Sequence, residues 1–354
     1  MNGPVNVREF EALARAALDP VRHDYFASGA QDEITLRANE EAFRRLELVP
    51  RILRGAGEPR LDVTVLGCHT SMPILLAPTA FHRLAHADGE LATARAAATQ
   101  GVIMIAAMLS TVPIEDIAAE SRKTAADLEP NLWFQLYLQP DLGFTEAIVR
   151  RAEAAGCRAI VLTCDSPALG RNERNDRNDF HQLPDGMKCP NLREQDGEVR
   201  NVVLSPAISW QHVEWLRKIT PLPIVLKGVL HHADARLAVE HGVDALIVSN
   251  HGGRQLDTTP ATIGQLPFIA EEVDGRIPIL LDGGVRRGTD VVKALALGAA
   301  AVAVGRPVVW GLAADGEAGV SRVLELLRTE LANALTLCGC DSPAAAKSEL
   351  IQVT

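Results

Sequence analysis

The string Ser249-Asn250-His251-Gly252-Gly253-Arg254-Gln255-Leu256-Asp257 sets a histidine three residues ahead of an arginine, with only glycines between them. An imidazole is a general base near neutral pH, and a planar guanidinium matches a carboxylate through two parallel hydrogen bonds. A histidine by itself is more often a satisfied core residue, but one flanked by glycines, followed by arginine and placed just after an apolar run reads as functional. Asp165, after another apolar run, is the carboxylate able to orient that imidazole. Lys227 ends a third run, Ile224–Leu226, where an ammonium is costly to bury unless an acid or an electron-rich cofactor pairs with it. A simple salt bridge is the plainer alternative. The chain has two tyrosines, Tyr25 and Tyr137, and the second again falls at the end of an apolar run.

A second kind of site is written in glycine and arginine. Asp282-Gly283-Gly284-Val285-Arg286-Arg287-Gly288-Thr289-Asp290 and Gly305-Arg306-Pro307 each follow an apolar run. Glycines let backbone N–H groups come close to a ligand, and arginine adds charge-assisted donors. Thr289 and Asp290 can open a helix whose N-terminus favours an anion. Gly-Gly alone is ordinary turn chemistry; next to Gly305-Arg306 it points to phosphate.

The elements that must carry these residues are eight short apolar runs: 73–77, 102–106, 132–138, 159–163, 223–226, 245–248, 278–281 and 301–304. Each is too continuous for a half-exposed strand and is followed by a helical stretch, the pattern of strands buried on both faces. Three are led in by a helix-ending glycine, Gly156, Gly242 and Gly298, suited to the left-handed residue that stops a helix. Eight β/α units over roughly 250 residues predict an α/β fold of the (β/α)8, or TIM, barrel type, with the active site at the carboxyl ends of the strands and phosphate after the last two. Thr79, Gln135 and Thr163 join the strand-end set. The rival, a doubly wound open sheet, lacks its GxGxxG signature.

The barrel is expected over residues 71–340 of a single domain spanning 1–354. About 70 residues precede it as a helical segment, in which Asn6 and Glu9 form a capping box before Phe10–Ala17. Residues 170–206, rich in Arg, Asn, Asp, Pro and Gly, read as a lid over the barrel mouth; a solvated surface excursion is the alternative.

At 354 residues, with 47% hydrophobic and 23% charged residues, the chain has the profile of a globular protein, long enough for one large barrel. A net charge of −10 without a Lys/Arg block excludes a nucleic-acid footprint. No apolar run approaches the length of a membrane span, and no signal or peroxisomal address is read, so no membrane association and a cytoplasmic location are expected. The six cysteines lack paired CxxC spacing, so reduced thiols and no metal are expected.

The strings Asp24-Tyr-Phe-Ala-Ser-Gly-Ala30, Ala77-Pro-Thr-Ala80, Gln135-Leu-Tyr137, Lys227-Gly228, Ser249 to Asp257, Asp282 to Arg286 and Gly305-Arg306 resemble the FMN-dependent L-2-hydroxy acid oxidases, the glycolate and lactate oxidase family. The likeness runs from about Val7 to Cys340. It implies that His251 takes a proton from the substrate, from the hydroxyl or the α-carbon, with Asp165 paired to it. Arg254 and Tyr25 would hold the substrate carboxylate and Tyr137 its hydroxyl. Lys227 would sit by the flavin N1 and C2 carbonyl, stabilising the negative charge of reduced flavin. Pro78, Thr79, Ala80, Gln135, Thr163 and Ser249 would line the flavin ring, Asp282 the ribityl chain, and Gly283, Gly284, Arg286, Gly305 and Arg306 the phosphate.

Three positions depart from the family pattern. Ala107 stands where a flavin-bonding Ser or Thr is common, and Asn172 where a second carboxylate arginine is usual; either Arg171 substitutes from the neighbouring position or carboxylate binding rests on Arg254. Leu109 stands where glycolate oxidases have Trp, so the substrate pocket differs in shape. The lid is also shorter than in the plant and animal enzymes. The resemblance implies oxidation of a small L-2-hydroxy carboxylate of the lactate, glycolate or mandelate type, dioxygen reduced to hydrogen peroxide, and a homotetramer. Ala80 favours peroxide release. The alternatives are a dehydrogenase passing electrons to a quinone or carrier protein, and a flavin-binding protein without turnover.

Overall fold

In the computed structural model, residues 3–125, 131–194 and 196–353 are described. Met1 and Asn2 of the expected N-terminal segment and Gln195 of the expected lid lie outside them. Eight parallel strands close into a barrel: β1 (Ile74–Leu76), β2 (Met104–Ala107), β3 (Leu132–Leu136), β4 (Ile160–Thr163), β5 (Ile224–Val229), β6 (Ala245–Val248), β7 (Ile279–Asp282) and β8 (Ala301–Val304). Each pairs with the next in sequence, and β8 closes on β1 with Val302, Ala303 and Val304 opposite Ile74, Leu75 and Leu76. The fold is thus the (β/α)8 barrel that the eight apolar runs predict, with every strand end within three residues of the expected one and two strands matching at both ends.

Alternation along these buried strands divides the core in two. Leu75, Ile105, Trp133, Val161, Val225, Ile247, Leu280 and Ala303 fill the barrel interior. Their neighbours Ile74, Leu76, Phe134, Leu162, Leu226, Leu246, Leu281 and Val304 pack outward under the helices. Gly156, Gly242 and Gly298, at φ 91°, 68° and 107°, end three of those helices in the left-handed region.

The segment ahead of the barrel is not helical throughout. Helices Glu9–Ala17, Pro20–Ala27 and Ile34–Arg44 are followed by a three-residue strand, Leu46–Leu48, that pairs antiparallel with Ile351–Val353. A hairpin, Val63–Val65 with Cys68–Thr70, then joins the interior cluster, where Cys68 Sγ accepts from Trp133 Nε1 at 3.4 Å. This hairpin closes the amino end of the barrel, which leaves the carboxyl end as the open mouth. Over that mouth lie the helix Pro20–Ala27, capped by Asp19 on the Arg22 N–H, and the segment from 170 onward, with a short helix at Glu173–Arg177.

No helix among the described residues is long and apolar enough to cross a membrane.

Candidate active site

His251 follows β6 in the left-handed conformation, φ 57°, which a residue with a side chain adopts at a cost. Ser249 holds it there: its Oγ accepts from the His251 N–H at 3.0 Å and from Lys227 Nζ at 3.0 Å. The imidazole Nδ1 meets Asp165 Oδ1 at 2.9 Å, and Nε2 faces the Tyr137 hydroxyl at 3.4 Å. Asp165 lies so close to the β5 turn that a Cβ at Gly228, φ 107°, would come within 2.6 Å of its carboxyl carbon. Burial works against ionising Asp165, but the charge and hydrogen bond of His251 and the charge of Lys227 hold it below the ordinary carboxylate range. Burial, then the Asp165 charge, push the Tyr137 phenol upward, so it stays protonated at neutral pH.

The guanidinium of Arg254 sits 5.1 Å from the Tyr25 ring, and its Nη1 donates to the carbonyls of Tyr25 at 2.8 Å and Ser28 at 3.0 Å. The arginine is therefore aimed by the N-terminal segment. Arg306 donates to the carbonyls of Phe26, Gly252 and, at 2.8 Å, the same Ser28. Burial first, then the neighbouring charges of Arg254 and Arg286, push Arg306 down to about 9. Arg286 bonds its neighbour's carbonyl at Val285 and pairs with Glu40 at 3.0 Å.

These groups surround one cavity of about 690 Å³, within the range of cofactor sites. Pro78, Thr79, Ala80, Ala107, Leu109, Gln135, Tyr137, Lys227, His251, Arg254, Asp282, Gly283, Gly284, Arg286, Gly305 and Arg306 line it, with Tyr25 and Arg171. Thr163, Ser249 and Asp165 stand behind the lining. Gln135 bridges two strand ends, accepting from the Met108 N–H at 3.1 Å and donating to Thr163 Oγ1 at 3.0 Å. Ala107 ends β2 with a buried methyl group and no hydroxyl.

Asp290 takes the N–H groups of both Arg286 and Arg287 at 2.9 Å, so the helix after β7 caps itself. Gly284 is required by close approach: a Cβ there would lie 2.2 Å from the Asn39 carbonyl oxygen.

The lid positions fall on the rim. Arg171, its side chain 70% exposed, lines the cavity at its rim and reaches Asp176 at 3.4 Å. Asn172 spends its amide on Ser28 Oγ and on the Asn175 N–H. Sequence reasoning did not single out Phe81, Phe180, Leu183 and Val202, which give the cavity an apolar wall around Leu109. Nor did it find the Asn39–Asn250 pair, whose reciprocal amide bonds at 2.9 and 2.7 Å tie the N-terminal helix to the His251 loop.

The residues present suit a flavin mononucleotide. Asp282 lines the cavity with one buried carboxylate oxygen, Oδ1, that has no hydrogen-bond partner among the described residues, an acceptor suited to a ribityl hydroxyl. Its other oxygen lies 3.4 Å from the buried Lys227 ammonium, a cation suited to an electron-rich ring, and two arginines beyond it suit a phosphate.

A (β/α)8 barrel with these groups at its carboxyl end defines a flavin-dependent oxidoreductase. The chain belongs to the FMN-dependent dehydrogenase family, which it matches over residues 14–353, and its cofactor is FMN. It is 47% identical over 355 residues to an L-lactate oxidase of Nostoc sp., with 96% of each chain covered. It is 46% identical over 350 residues to glycolate oxidase 3 of Arabidopsis thaliana, covering 95% of this chain and 93% of the relative. Among solved structures it resembles a mandelate oxidase in complex with 3,3-difluoro-2-hydroxy-3-phenylpropionic acid, at 42% identity, TM-score 0.91 and 99% coverage of both chains.

Proposed function

We infer that the enzyme oxidises an L-2-hydroxy carboxylate to the 2-oxo acid and reduces dioxygen to hydrogen peroxide. The observation that carries this reading is the placement of His251, backed by Asp165 at 2.9 Å, between a protonated phenol and an arginine on the wall of one cavity. Arg254 and Tyr25 fix the substrate carboxylate, which leaves the carbinol carbon and its hydroxyl facing Tyr137 and His251. His251 Nε2 takes the substrate proton, and the ionised Asp165 stabilises the resulting imidazolium through Nδ1–H. Lys227 and Gln135, backed by Ser249 and Thr163, hold the ring of FMN; Asp282 holds its ribityl chain, and Gly283, Gly284, Arg286, Gly305 and Arg306 its phosphate. FMN supplies two-electron redox chemistry. The balance is two electrons and two protons from the hydroxy acid to dioxygen.

Leu109 and the apolar wall of Phe81, Phe180, Leu183 and Val202 support an apolar side chain on the substrate. Ala80 supports release of the peroxide. The family resemblance supports a homotetramer, which light scattering tests. His251→Ala is the test of the chemistry: the purified variant should retain FMN, yet L-lactate, glycolate and L-mandelate should fail to bleach it under anaerobic conditions. Bleaching at the parent rate would remove His251 from the mechanism.

A further inference from the structure

A buried histidine outside the catalytic set stands against the cavity wall. His82 lies in the short turn His82–Leu84 after β1, only 3% exposed, beneath the helix Glu90–Gln100. Its Nε2 is 2.5 Å from Thr79 Oγ1, and its Nδ1 is 2.9 Å from Thr93 Oγ1. The backbone is fastened as well: the His82 N–H donates to Glu90 Oε1 at 3.0 Å. Glu90 also accepts from the Thr111 N–H at 2.8 Å and the Thr111 hydroxyl at 2.6 Å, so the carboxylate joins the loops after β1 and β2.

With a hydroxyl on each ring nitrogen, the imidazole can neither rotate nor flip without losing both bonds. Burial lowers its affinity for a proton against the upward pull of Glu90. A neutral ring has one donor and one acceptor nitrogen, which matches two hydroxyl partners. Among the described residues His82 is the one partner of the Thr79 hydroxyl, and the Thr79 methyl lies on the side of Gly305, where an added Cβ would come within 3.3 Å of it. Thr79 lines the cavity, so the remaining hydrogen-bonding capacity of Oγ1 is available to what the cavity holds.

We propose that His82 is a positioning residue for the cofactor, fixing the Thr79 hydroxyl in the one orientation that bonds FMN. This rests on the reading that FMN lies against Pro78–Ala80.

The test is a cycle of His82→Phe, Thr79→Val and the double variant, made on the holoenzyme. The readouts are the FMN dissociation constant, from flavin fluorescence released on dilution, and the position of the visible flavin bands. Losing one neutral hydrogen bond weakens binding by about 2- to 10-fold. His82→Phe and Thr79→Val should each show that loss with the same band shift, and the double variant no more than either. His82→Gln, which restores a donor and an acceptor, should return both readouts toward the parent. Thr93→Val, which frees the far side of the ring without touching the cavity, should move them in the same direction and carries the test if His82→Phe does not fold. If Thr79→Val shifts both readouts while His82→Phe and Thr93→Val shift neither, the positioning role is overturned and the placement of FMN stands. If Thr79→Val shifts neither, FMN does not lie against Thr79, and the proposal falls with that placement.

Discussion

Asp165 and His251 meet at 2.9 Å through Oδ1 and Nδ1, while the second oxygen of Asp165 is buried without a hydrogen-bond partner among the described residues. That arrangement fixes the tautomer available to the reaction. With Nδ1 as donor to the carboxylate, Nε2 is the nitrogen that faces Tyr137 and the substrate. Asp165→Asn keeps the shape but removes the charge that an imidazolium needs. Anaerobic reduction by substrate should slow by about 100- to 10,000-fold, with FMN content unchanged. Stopped-flow absorbance measures it.

Because the Asp165 carboxyl is held below its ordinary value, its ionised form adds stability above the usual carboxylate pKa of about 4. That contribution is lost as the pH falls through the lowered value. The melting temperature of the parent relative to Asp165→Asn should therefore be constant from neutral pH to about 5 and converge only at more acid pH. Calorimetry at a series of pH values gives the comparison; a gap that closed between pH 8 and 6 would contradict it.

Arg254 reaches the substrate from a platform of carbonyls at Tyr25 and Ser28. Lysine cannot span both carbonyls and present a planar fork to a carboxylate. Arg254→Lys should raise KM by about 10- to 100-fold, the loss of a charge-assisted bond worth about 1.5–3 kcal/mol. Steady-state kinetics with the best substrate will show it, and an unchanged KM would remove Arg254 from carboxylate binding.

Gly170 begins the lid where it crosses the Arg254 loop. A Cβ there would sit 2.2 Å from the Arg254 carbonyl oxygen, which is backbone and can make room only if the Arg254 loop shifts. Its N–H also donates to Gln255 Oε1 at 2.6 Å. Gly170→Ala should displace Arg254 and raise KM, leaving FMN affinity within about 2-fold of the parent. Equilibrium FMN binding and KM, measured on the same preparation, separate the two effects.

Arg306 is pushed down to about 9 by burial and by its arginine neighbours, and a phosphate would relieve that repulsion. FMN should therefore bind about 10- to 100-fold more weakly to Arg306→Met, the loss of a charge-assisted contact to its phosphate. Fluorescence titration of FMN against parent and variant reads the difference, and an unchanged affinity would remove Arg306 from phosphate binding.

The barrel was legible because each strand is buried on both faces and so writes a continuous apolar run into the chain, as at Ala245–Val248 and Ala301–Val304. The short strands were not. Leu46–Leu48 pairs with Ile351–Val353 at the far end of the sequence, and three residues carry no period. The strand-end residues of the site could be found because polar and ionisable groups there interrupt apolar runs. Phe180 and Leu183 are isolated apolar residues in a polar segment and Val202 belongs to a run of only three, 202–204, so only the docking of that segment brings them to the cavity. Ser28 and His82 act through hydrogen bonds whose partners no spacing rule joins.

The most direct test of the oxidase reading is anaerobic mixing of the purified yellow protein with L-lactate, glycolate and L-mandelate in turn, followed by admission of air. At least one L-2-hydroxy acid should bleach the visible flavin band, its D enantiomer, where it has one, should not, and air should restore the band with one equivalent of hydrogen peroxide per flavin. A band that no 2-hydroxy acid bleaches would contradict the assigned reaction, and a bleached band that air does not restore would contradict dioxygen as the acceptor.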